Sequence, residues 1–136
     1  MERLKNENKY LVDKKYIKNF LDDLYIKGKL KVSIILMLIA YAGLNEIEIL
    51  DIKIENVNID KKVIIIEDRK EIYIPTPIIE PLIQYLKELP SNQEYLFVNK
   101  LGKKCVKHNI KDLLRGNCKD TNITVLVLKK FYRTNF

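Results

Sequence analysis

A chain of 136 residues, 47% of them hydrophobic, is the size of one domain and can bury a real core. Its formal charge of +7 and pI near 9.3 suit a polyanionic partner such as nucleic acid, although a lysine-rich composition alone would give the same sum. The apolar run Val32–Leu44 is shorter than the about 20 residues a bilayer requires, and the charged N-terminus lacks a signal-peptide pattern, so the chain reads as soluble and cytoplasmic with no membrane partner.

Residues 1–12 are polar and read as a flexible N-terminus, ahead of a single domain over 13–136. Asp13 is placed to cap a helix running to about Tyr25, with Ile17, Phe20, Leu21 and Leu24 on one face, and Gly28 ends it. A second helix, about Leu30–Ala42, is apolar nearly all round, which predicts the buried centre of the domain. Gly43 breaks it, and a short helix over about 46–52 should turn Ile47, Leu50 and Ile54 inward. The period then changes. Val63–Ile66, a charged turn over Glu67–Lys70, and Glu71–Ile74 predict an antiparallel hairpin, with Val57 and Ile59 offering a third strand. Pro77 starts a helix over about 78–89 and puts Pro81 in its first turn. Tyr95–Val98 is short and apolar, and Leu101–Lys104 turns the chain into a basic helix over about 106–114. The expected fold class is therefore α+β: a mainly helical domain with a small antiparallel sheet of two or three strands.

Cys105, Cys118 and the single His108 do not amount to a zinc ligand set, so neither a metal nor another cofactor is expected, and reduced thiols are the default. No Ser/His/Asp set, phosphate-cradling glycine loop or acidic metal cluster is visible either.

The segment Tyr41-Ala42-Gly43-Leu44-Asn45-Glu46-Ile47-Glu48-Ile49-Leu50 resembles the turn that opens a helix in the tyrosine recombinase (phage integrase) family. The family reads roughly Thr-Gly-Leu-Arg-x-x-Glu-Leu there. Three later segments are similar to family elements in the same order. Ile54–Asp60 resembles the entry to the sheet, and Ile72-Tyr73-Ile74-Pro75 resembles the hairpin's exit strand. Tyr95–Lys103 resembles the Leu-Phe…Gly-Lys segment before the next helix. The resemblance covers about residues 10–130 and implies the recombinase catalytic-domain fold.

The resemblance also implies a chemistry, strand transfer by a tyrosine, with two arginines on the scissile phosphate, a hairpin lysine as acid, and one or two histidines. Such a set neutralises a phosphorane with preorganised cations. Asn45 stands at the first arginine, and an amide cannot supply its charged fork. Arg69 and Lys70 are the candidates for the hairpin lysine. Ile123–Phe131 resembles the box Ile-Thr-Pro-His-x-Leu-Arg-His, in a register that puts Leu126 at the histidine, Lys129 at the second arginine and Lys130 at the next basic position. Tyr132 follows too soon to match the nucleophile, whose segment the domain is expected to lack. The catalytic set reads as degenerate and the chain as a non-enzyme.

Basic residues gather over 99–119: Lys100, Lys103, Lys104, Lys107, Lys111, Arg115 and Lys119 against one acid, Asp112. Lys104, Lys107, Lys111 and Arg115 recur at helical steps and predict one stripe opposite Ile110, Leu113 and Leu114. With Lys129 and Lys130 they form a candidate phosphate track on double-stranded DNA. The leading expectation is a DNA-binding, catalytically inactive integrase-like protein of a mobile element, viral or plasmid in origin. The alternatives are a protein-interaction module that docks or regulates an intact recombinase, and a decayed remnant. The strand-like Thr124–Leu128 and the apolar surface expected near residues 123–136 also suggest a homodimer through that segment.

Overall fold

The computed structural model describes residues 14–67, 70–120 and 122–136. The expectations for the N-terminus, the Asp13 cap and Arg69 lie outside these residues.

Helix α1 spans Lys14–Ile26, and Gly28 takes φ +79° just beyond it. Helix α2, Leu30–Ala42, is buried continuously from Val32 to Tyr41 and forms the axis of the domain. Even Ser33 is buried there, its hydroxyl donating to the Leu30 carbonyl at 2.9 Å. Helices α1, α4 (Thr76–Glu88), α5 (Lys107–Asn117) and α6 (Val125–Asn135) pack around it. A helix apolar on every side is stable only when every side is covered, and this surrounding layer supplies the cover.

Helix α3, Glu46–Leu50, is shorter than expected and is followed by a 3-10 turn over Ile54–Asn56. Its inward residues are Ile49 and Leu50, whereas Ile47 is 58% exposed. The expected inward spacing of Ile47, Leu50 and Ile54 requires a helix that continues beyond Leu50. The chain instead leaves the helix there, and Ile52 drops into the core.

The sheet has the order β1–β2–β3, all antiparallel, with β1 at Val57–Asn58, β2 at Val63–Ile66 and β3 at Lys70–Tyr73. Val63 faces Tyr73 and Ile66 faces Lys70, so the hairpin stands with its second strand one residue earlier than read, and the third strand includes Val57 but not Ile59. Helix α4 starts at Thr76, two residues earlier than expected. Pro81 therefore falls in the second turn, where it cannot donate to the Pro77 carbonyl, and its ring is buried.

Residues 95–104 form no helix or named strand but are pinned at both ends. Tyr95 bridges Lys53, Val98 bridges Lys104, and Leu96 and Phe97 plug the core. Helix α6 forms across Val125–Leu128 despite their strand-like composition. Thr124 caps it, its hydroxyl accepting from the Val127 N–H at 3.2 Å, and Leu128 and Phe131 bury one stripe against the rest of the core. Burial of that stripe outweighs a propensity difference of a few tenths of a kcal/mol per residue. Among the described residues, no helix is long and apolar enough to cross a membrane.

Candidate nucleic-acid interface

The Gly43 turn and helix α6 meet beside the end of α2. Ile39, Gly43, Leu44, Asn45, Lys129, Tyr132 and Arg133 line a small hollow of about 70 Å³. The two positions expected to hold phosphate-gripping arginines, Asn45 and Lys129, are thus brought together from distant parts of the sequence. What they do there is local.

Asn45 caps α3. Its carboxamide oxygen accepts from the Glu48 N–H at 2.8 Å, and the Glu48 carboxylate accepts from the Asn45 N–H at 3.0 Å. This reciprocal pair satisfies two backbone donors that would otherwise be open, and asparagine is among the best residues for the task. The Asn45 oxygen is committed to the backbone.

Lys129 donates to Glu46 at 2.7 Å, and the Glu46 side chain is only 9% exposed. Burial pushes the Glu46 carboxyl up, but the Lys129 hydrogen bond, a backbone hydrogen bond and the charges of Lys129 and Lys107 outweigh it, so its pKa lies below the ordinary value. Glu46 is therefore a buried carboxylate, and Lys129 is its counter-ion. Sequence reasoning missed this acid, because a glutamate in the first turn of a helix reads as a solvated residue.

Lys129 also lines a larger groove of about 820 Å³ between α5 and the start of α6. Lys107, Lys111 and Arg115 form one wall at i, i+4 and i+8, and all three are exposed. Leu114, Ile123, Val125 and Leu126 give the groove an apolar floor, with Leu126 56% exposed. Leu126 thus occupies the groove where the resemblance would place a histidine.

Lys104 is not part of the stripe. Helix α5 begins only at Lys107, and Lys104 lies before it, ion-paired to Asp51 and 5.1 Å from the centroid of the Tyr95 ring. The step of three from Lys104 to Lys107 has helical meaning only inside a helix, and Val106, extended at φ −107° and ψ 161°, interrupts it. Lys100 and Lys103 sit in the turn around Gly102, where the Asn99 carboxamide oxygen accepts from the Leu101 and Lys103 N–H groups. Lys130 is exposed on α6, Lys70 is exposed at the start of β3, and neither lines either hollow. The predicted basic surface therefore divides into a groove wall of three cations, a separate turn, and isolated lysines.

Tyr132 has a packing role. Its ring lies so close to Gly43 that a Cβ there would come within 2.5 Å of it, and it stacks on Phe136 at 5.5 Å between centroids. Gly43 is needed twice over, for this contact and for its φ of +71°. The cysteines are unpaired, Cys105 buried and Cys118 half-buried.

Comparison with known proteins bears on the family and the fold. No curated protein matches the chain. Among solved structures it is similar to the crystal structure of XerA recombinase, with a TM-score of 0.74 and 18% identity over 89% of this chain and 48% of that one. The chain thus spans about half the length of that protein, and at this identity the likeness speaks for the fold. The model of the phage integrase family matches residues 11–133. The Gly43 turn, the hairpin and helix α6 as far as Arg133 lie inside that match, and the chain belongs to the phage integrase family, the tyrosine recombinases.

Proposed function

We propose that this protein binds double-stranded DNA through the α5 wall of the groove and performs no strand transfer itself. One observation carries the reading: the side chains at the two arginine positions are engaged within the protein, while Lys107, Lys111 and Arg115 stand exposed along one wall of an open groove. Catalysis in this family would need preorganised cations and a proton donor at the reacting phosphate. Asn45 carries no charge, Leu126 can exchange no proton, and Lys129 lacks the bidentate fork of arginine. The three exposed cations, by contrast, suit backbone phosphates, which position a duplex without reading its sequence.

Three phosphate contacts give a log–log salt slope near −3. Changing Lys107, Lys111 and Arg115 together to glutamine should flatten that slope and weaken binding to a mixed-sequence duplex on the order of 100-fold at low salt. The helical circular dichroism should be retained. An unchanged slope would place the DNA surface elsewhere.

The apolar floor favours a second reading, a surface that docks a protein partner such as an intact recombinase. No DNA binding at low salt, together with capture of a purified intact recombinase, would support that reading against the first.

A further inference from the structure

The acid beside Lys129 has a consequence for how the groove meets an anion. Glu46 puts a buried carboxylate in the lining of the large groove, and it lies close enough to Lys129 to satisfy it at 2.7 Å. The pair is partly shielded from water, since the Lys129 side chain is 31% exposed and that of Glu46 is 9%. An ion pair in such surroundings is screened less by salt than one on the surface. Lys107, which heads the groove wall, also lies within the field of the same carboxylate. An incoming phosphate would have to displace a resident anion to reach Lys129, and that exchange leaves a buried carboxylate unpaired, which is costly.

Resting on the DNA-binding reading, we infer that Glu46 is an internal substitute for phosphate. It holds Lys129 out of DNA contact and caps the affinity of the groove at the contribution of its α5 wall. Glu46 is a positioning residue in this account, acting on DNA only through Lys129.

The test is a set of three variants, Glu46→Gln, Lys129→Gln and the double change, titrated with a mixed-sequence duplex over a range of salt. Glutamine keeps the volume of glutamate, and thermal melts show whether each variant is folded. Glu46→Gln should steepen the salt slope by about one and tighten binding about tenfold at low salt. Lys129→Gln alone should leave the slope unchanged, because its charge is already spent, and the double variant should lose the gain. A gain that persists in the double variant would mean that removing any negative charge suffices, and would overturn the proposal. A flatter slope for Lys129→Gln alone would overturn it too, by putting Lys129 on DNA in the unaltered protein.

Trace acetylation supplies a readout free of DNA. Lys129 should react more slowly than the exposed Lys130 in the unaltered protein, and the protection should vanish in Glu46→Gln. Equal reactivity of the two lysines in the unaltered protein overturns the pair. Unaltered protein that binds DNA, with Glu46→Gln no tighter, refutes the inference and leaves the DNA-binding reading standing. Failure of both proteins to bind refutes both. Binding by Glu46→Gln alone would support the inference and show the groove to be held closed to DNA by this one acid.

Discussion

Replacing Phe131 by alanine should destabilise the domain by about 3–5 kcal/mol, the range for truncating a fully buried phenylalanine. The ring is completely buried and meets Tyr41 edge-on at 6.1 Å, joining α6 to the central helix. For a domain of this size the midpoint of thermal unfolding should fall by roughly 10–15 °C. Phe136, five residues on, makes ring contacts with Tyr41, Phe131 and Tyr132 but is 65% exposed. Its alanine variant should lose far less, within about 1 kcal/mol. Comparable losses at the two positions would contradict the packing of α6. The same burial means that a chain ending at Asn122 would lose Ile123, Leu128 and Phe131 from the core. Such a truncation should therefore fail to give a cooperative thermal unfolding transition.

Much of this architecture is legible in the sequence because the strongest signals are chemical rather than statistical. The bounds of α2 are set by an apolar run between Gly28 and Gly43, and the structure keeps Leu30–Ala42 as read. The hairpin is set by a β-branched run, Val63–Ile66, a charged turn and the return through Ile72 and Tyr73. The failures occur where a short-range pattern depends on an element's true length. Ile47 is expected inside because its spacing to Leu50 and Ile54 is helical, yet α3 ends at Leu50. Lys104 is expected in the α5 stripe for the same kind of reason, yet the helix begins three residues later. The Glu46–Lys129 pair is beyond reach because nothing local marks it. A glutamate becomes tolerable in a buried place only when a cation arrives from another helix, and sequence spacing does not report that arrival. The arginine that the resemblance leads one to expect at Asn45 describes what the position lacks. Its capping box with Glu48 describes what the residue does.

The second large effect belongs to the Gly43 turn. Gly43→Ala should destabilise by about 2–5 kcal/mol, from two separable causes. A left-handed backbone costs a residue with a Cβ about 1–2 kcal/mol, and forcing the Tyr132 ring away from a 2.5 Å approach adds the usual overpacking cost of about 1–3 kcal/mol. Gly28 isolates the first cause, since it has a φ of +79° and nothing lies within 4 Å of the place its Cβ would take. Gly28→Ala should therefore show the backbone cost alone. In a Tyr132→Ala background, Gly43→Ala should fall to that same smaller value. Equal costs for Gly28→Ala and Gly43→Ala in the unaltered background would mean that Tyr132 yields freely and does not hold the turn against α6.

DNA attachment without strand transfer is the core of the functional reading, and one experiment addresses both halves. The 136-residue protein is incubated at low salt with a nicked duplex that traps covalent recombinase intermediates, and the mixture is divided between a native gel and a denaturing gel. A salt-sensitive shift is expected on the native gel, with no protein–DNA band on the denaturing gel. The same result is expected for Asn45→Arg, since a single restored charge leaves Leu126 without a proton to exchange. A tyrosine-linked adduct on the denaturing gel, from either protein, would contradict the account.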